Sequence, residues 1–147
     1  SVMLTNAVGG ELGHRDTASL LILDDDGAND ESCVPDDETL CLEDGRYALR
    51  GTWRDFQGRT GVFHSVPSTD GSGLFWFFDE NSVEVLARVI DGCGLNDHRW
   101  VFFAATTNVA YTLEVTDLRT DTVRRYSNPL GTRAAATTDV AAFACTP

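Results

Sequence analysis

From residue 45 onward the chain repeats one pattern: a short apolar or alternating run, then a break of Gly, Pro, Asn or Asp. Tyr47, Leu49, Gly51 and Trp53 alternate. Gln57-Gly58-Arg59 then turns the chain into a run over 61–66, and Asp70-Gly71-Ser72-Gly73 leads into Leu74-Phe75-Trp76-Phe77-Phe78. Further runs cover 83–90, 99–104, 111–116, 122–126 and 141–144. A period of two puts successive side chains on opposite faces, which suits strands and not the 3.6-residue period of a helix. About seven or eight such runs bounded by turn residues predict an all-β chain, an antiparallel β-sandwich, with Greek-key connections left open. Over 83–90 the expectation is a strand with Val83, Val85, Ala87 and Val89 on one face, a short helix being the alternative. The run 74–78 is apolar on both faces, so it predicts a covered central strand with Trp76 and Phe78 in the core. Trp53, Trp76 and Trp100 each sit inside an apolar run and read as core. The competing reading for the three is a carbohydrate-stacking platform.

The first 23 residues look different. Val2 and Leu4 precede Gly9-Gly10, and Ala18, Leu20 and Ile22 follow it, alternation on both sides of a glycine pair that predicts a β-hairpin. A lone two-stranded hairpin is marginal in water. Leu4, Leu20 and Ile22 therefore need a surface to cover them, in this chain or in another copy. Residues 24–44 hold ten acidic residues and no basic one, a linker composition. The expected organisation is a hairpin over 1–23, an acidic linker over 24–44 and a sandwich over 45–147.

Composition narrows the function. The 147 residues carry 23 acidic and 11 basic side chains, net −12, and every basic one is Arg. Such a charge repels phosphate backbones and anionic lipid, which argues against nucleic-acid partners and membrane surfaces. No apolar run approaches the roughly 18 residues of a membrane helix, and no basic stretch followed by an apolar one marks a signal peptide, so a mature secreted chain is expected. Cys33, Cys41, Cys93 and Cys145 are an even set without zinc-ligand spacing, which predicts two disulfides and an oxidising compartment. Three connectivities are open. Cys33–Cys41, closing a short loop, and Cys93–Cys145, tying down the C-terminus, are the favoured pair.

Catalytic signals are thin. His64-Ser65 stands without a G-x-S-x-G elbow or an evident third member, and His14 and His98 lie in polar turns. Asp79-Glu80 follows the aromatic run, but adjacent strand residues point to opposite faces and cannot flank one glycosidic bond. The expectation is that the chain is not an enzyme. Calcium is the one cofactor the residues suggest: Asp24, Asp26, Asn29, Asp30 and Glu31 offer hard oxygens within one loop, with Gly27 for a sharp turn. The EF-hand spacing is not matched. No Asn-x-Ser/Thr sequon occurs.

Two resemblances add to this. Val2-x-Leu4-x-Asn6, Gly9-Gly10-x-Leu12-Gly13 and Thr17-Ala18-x-Leu20-x-Ile22-Leu23-Asp24-Asp25-Asp26 resemble the last two strands of a Calx-beta domain. In that family the terminal aspartates join a calcium site. Residues 33–147 resemble an uncharacterised β-rich module of secreted bacterial proteins. The likeness is carried by Leu40-Cys41-Leu42, Thr52-Trp53-Arg54, Gly73-Leu74-Phe75-Trp76-Phe77-Phe78, Val89-Ile90-Asp91-Gly92-Cys93-Gly94-Leu95-Asn96 and Ala142-Phe143-Ala144-Cys145. That resemblance implies secretion and a β-rich fold and supplies no activity. The leading expectation is an extracellular structural protein whose N-terminal hairpin adds to a neighbouring subunit and builds a homopolymeric fibre. The alternative is a secreted accessory module that recognises polysaccharide or a cell surface.

Overall fold

The computed structural model describes residues 32–145, together with two short strands nearer the N-terminus, β1 (Val2–Met3) and β2 (Thr17–Ala18). β1 and β2 pair antiparallel, Val2 opposite Ala18 and Met3 opposite Thr17, as a two-stranded sheet of their own. Leu4, Leu20 and Ile22, and the candidate calcium set Asp24, Asp26, Asn29, Asp30 and Glu31, lie outside the described residues.

The rest is an all-β sandwich of two antiparallel sheets. The first holds β3 (Leu40–Leu42), β4 (Tyr47–Arg54), β5 (Thr60–Val62), β10 (Ala110–Asp117) and β11 (Thr122–Asn128), in the order β11-β10-β4-β3, with β5 beside β3 on the same edge of β4. The second holds β6 (His64–Thr69), β7 (Ser72–Asp79), β8 (Ser82–Gly92), β9 (His98–Ala105) and β12 (Thr137–Ala144), in the order β12-β9-β8-β7-β6. β6 to β9 form a meander. The chain changes sheet between β5 and β6, between β9 and β10, and between β11 and β12, which brings β10 beside the sequence-distant β4. One turn of helix, α1 (Cys93–Asn96), joins β8 to β9.

The run read as one strand over 61–66 is two strands on different sheets. Phe63 is the corner between them; it is fully buried, with its ring stacked on Phe77 at 4.4 Å and tilted against Phe75 at 5.3 Å. Gly51 makes room for that ring, since a Cβ there would lie 2.7 Å from Phe63 Cγ. Inward rows from both sheets close the core, with Leu49, Leu113 and Val115 from the first meeting Phe75, Val85 and Val101 from the second.

The sandwich reaches further toward the N-terminus than composition suggests. Leu40 and Leu42 are fully buried on β3, and the Asp36–Thr39 turn before them accepts Ser65 N–H at the Asp37 carbonyl. A three-residue alternation inside an acidic stretch is too short to lift the local composition, so 24–44 read as a linker. Both disulfides form with the favoured pairing, Cys33–Cys41 and Cys93–Cys145, at Cα separations of 5.7 and 5.8 Å. The second closes the longer loop, a constraint on the unfolded chain of about 4 kcal/mol in the chain-entropy view.

Polar groups lock one end of the sandwich. Arg46 Nε and Nη2 donate to the two oxygens of the fully buried Asp117, at 3.1 and 2.7 Å, and Leu118 N–H donates to the Arg46 carbonyl. Burial alone would raise Asp117, but the bonds from Arg46 and the Arg119 N–H outweigh it and hold the carboxyl below its ordinary value. Beside this pair the buried Tyr47 hydroxyl and Arg99 Nε have no hydrogen-bond partner among the described residues, and burial pushes Tyr47 up to about 12.

Candidate functional site

The second sheet is apolar on both sides, and among the described residues only its inner side is covered. Along β7, Phe75 and Phe77 point inward and are buried, whereas Leu74 and Trp76 point outward. Trp76 and Phe78 are therefore not core: Phe78 is 48% exposed, and Trp76 lies half-buried on the outer face. The apolar run 74–78 belongs to an interior strand of its sheet, whose outer side has no second layer among the described residues. Trp53 and Trp100 are also only partly buried, so none of the three tryptophans belongs to the fully buried core.

A register shift on β8 adds to this face. Phe75 pairs with Val85 but Trp76 pairs with Val83, so Glu84 is an extra residue, a β-bulge. Val83 is thereby displaced from the expected inward row and is 42% exposed, while Val85, Ala87 and Val89 remain buried. Glu84 is used locally: its carboxylate accepts Phe77 N–H at 2.6 Å, and burial raises its pKa.

Cross-strand rows give the face its shape. At one end His64 pairs with Trp76, their rings stacked at 3.9 Å and 16°. In the middle Val66, Leu74, Leu86 and Ala104 line up across four strands. At the other end Ile90 pairs with Trp100, which stacks on Phe102 at 5.8 Å and 12°. From the Val83 level to the Ile90 level is seven residues, about 23 Å, and three inter-strand spacings span about 14 Å. The resulting apolar patch of about 300–400 Å² is as large as a monomer's surface commonly carries. Arg88 is the one charged residue in these central rows, opposite Phe102.

The outer face of the first sheet is the chemical opposite. Of three shallow depressions across it, those of about 260 and 540 Å³ run along Thr, Arg and Glu side chains, while the one of about 770 Å³ is lined by Trp53, Val62 and Ala110 as well as Thr52, Thr112 and Ser127. Its side chains pair with one another: Arg50 with Thr39, Arg125 with Glu114, and Thr112 with Ser127. That is a solvated sheet face.

His64 gains an orienting carboxylate that sequence reasoning did not find. Asp37 Oδ2 lies 2.7 Å from His64 Nδ1, 27 residues away in the chain. The neighbouring Ser65 Oγ donates instead to the Asp36 carbonyl at 2.6 Å, so His64, Asp37 and Ser65 are not arranged as a relay. Asp79 caps the β7–β8 turn by accepting Asn81 N–H at 2.8 Å. Asp91, Cys93 and Cys145 lie close enough together to suggest a metal cluster, but both sulfurs are in the disulfide and Asp91 accepts Cys93 N–H.

Two disulfides fit a non-cytoplasmic, oxidising setting. Among the described residues no helix is long and apolar enough to cross a membrane. Comparison with family models, with curated proteins and with solved structures finds no match to this chain.

Proposed function

We propose that this chain is a non-enzymatic extracellular structural protein that assembles into a fibre by adding its N-terminal hairpin to a neighbouring subunit. The observation that carries this reading is that, among the described residues, β1 and β2 pair with each other and with neither sandwich sheet. The sandwich has a closed core and two disulfides of its own. A two-stranded hairpin, by contrast, needs a surface to cover it. A donor and an acceptor on different parts of one chain make a head-to-tail contact, which propagates unless the rotation closes a ring.

The test is the assembly state of the disulfide-bonded full chain over rising concentration, by sedimentation velocity and negative-stain electron microscopy. Open polymers are expected, and deletion of residues 1–23 should leave folded monomers. A full chain that stays monomeric, or polymers that survive the deletion, would overturn the proposal.

A second reading is favoured by one specific observation, the outward tryptophans of the second sheet. A patch of about 300–400 Å² is well short of the roughly 800 Å² per partner of a standard protein interface. A narrow, elongated ligand such as a polysaccharide chain, stacking on Trp76 and Trp100, suits it better. Retention on insoluble polysaccharide that is lost in Trp76→Ala and Trp100→Ala would support this reading, and no retention would dismiss it.

A further inference from the structure

We infer that the acceptor for the N-terminal hairpin is the free edge of β11, which takes the strand 17–23 of a second copy; this inference rests on the fibre reading above. Four kinds of edge are present among the described residues, and three are blunted. β6 contains Pro67 and a register shift, and its Ser65 N–H is already bonded to the Asp37 carbonyl. β3 and β5, sharing one side of β4, are three residues each. β12 is bulged between Asp139 and Phe143, and its Ala142 carbonyl accepts Arg124 Nε at 2.6 Å. Those are the devices by which natural sheets discourage edge pairing.

β11 lacks them. Its seven residues pair with β10 in continuous register from Thr122 to Asn128, with no Pro, no Gly and no bulge. Its outer side takes no backbone hydrogen bond among the described residues. The core is also incompletely covered on this flank. Tyr126, Leu130 and Ala134 are partly buried residues packed against the core, and all three come from β11 or the connection that follows it. Tyr126 packs against Phe103 at 5.2 Å, with its hydroxyl donating to Asp139 across the gap between the two sheets.

The occupant follows from length, pattern and charge. Thr17-Ala18-Ser19-Leu20-Leu21-Ile22-Leu23 is seven residues long, as β11 is, and would lay Ala18, Leu20 and Ile22 on one side, toward the partly covered flank. Residues 118–133 carry four Arg against one Asp in a chain of net charge −12. The strand 17–23 runs directly into Asp24-Asp25-Asp26, and residues 24–31 hold five acids and no base. Main-chain bonds along the edge would supply affinity, alternate side chains the register, and the Arg–Asp attraction the choice of this edge.

The experiment reverses the charges in the full chain. Arg119 and Arg125 are both exposed, and Arg125 has one surface ion pair, with Glu114, so Arg119→Glu/Arg125→Glu should fold and melt close to the parent. Its polymers should be lost, and adding Asp24→Arg/Asp26→Arg to the same chain should restore them. Amides of Thr122 to Asn128 on the outer side should gain hydrogen-exchange protection on polymerisation. If deletion of residues 1–23 abolishes polymers while the arginine reversals leave them intact and the β11 amides gain no protection, the fibre reading stands and β11 is not the acceptor. If the deletion leaves polymers, the fibre reading itself fails.

Discussion

Phe75 and Trp76 are neighbours on β7, facing opposite sides of one sheet, and truncating each to alanine measures how differently those sides are built. Phe75 is fully buried, its ring 5.3 Å from Phe63 across the core. Phe75→Ala removes a packed ring and leaves a cavity, which costs about 3–5 kcal/mol. Trp76 has water on one side and one stacked partner, His64 at 3.9 Å. Its truncation forfeits that stack, about 1 kcal/mol, and the burial of roughly half an aromatic side chain, about 1–1.5 kcal/mol more, so about 2–2.5 kcal/mol in all. For a domain of this size the expected falls in melting temperature are roughly 12–20 °C for Phe75→Ala and roughly 8–10 °C for Trp76→Ala. Urea and thermal unfolding followed by circular dichroism without reductant, so that both disulfides persist, read the two losses on one scale. Equal losses would refute the reasoning, because they would mean that Trp76 is packed under a layer. The expected asymmetry also makes Trp76→Ala a folded variant in which a loss of polysaccharide retention reports on the face alone.

Three further outcomes concern buried or hydrogen-bonded polar groups. Asp117→Asn leaves the Arg46 guanidinium buried without its counter-charge and should cost about 3–5 kcal/mol in urea unfolding; a loss below about 1 kcal/mol would mean that Arg46 finds another partner. Asp117 and Asp55 are both held below their ordinary pKa: burial opposes this, but the bonds from Arg46 and from Arg59 respectively prevail. Their stabilisation is present above about pH 4 and is lost as pH falls through the folded-state values. Glu84, raised by burial, runs the other way, its contribution fading as pH rises through its folded value. Melting temperature should therefore drop on acidification below about pH 4, more shallowly in Asp117→Asn, and a flat profile would contradict the assignment. Tyr47→Phe deletes a buried hydroxyl without a partner, so stability should hold within about 0.5 kcal/mol or rise by about 1; a clear loss would reveal a bonded hydroxyl.

The all-β class was legible in the period-two runs because alternation is a local property, set by which neighbours must face a core. The disulfide pairing was legible too, since Cys33 and Cys41 are eight residues apart and the other pair is then determined. Tertiary structure decided what local pattern could not. The side of a strand that meets a second layer depends on how many layers the fold stacks, so an apolar run over 74–78 looked covered when Leu74 and Trp76 in fact face outward. The bulge at Glu84 arises from pairing between β7 and β8, and it moved Val83 out of a row that its own periodicity placed it in. Leu40 and Leu42 were hidden because three residues cannot outweigh the acids around them, and their burial comes from β4 and β7 closing over them. The Asp37–His64 and Arg46–Asp117 pairs join residues 27 and 71 positions apart. The edge position of β11 is likewise a fact of strand order: Thr122 to Asn128 reads as an ordinary strand, and only its terminal place in the sheet leaves its outer side without a strand partner among the described residues.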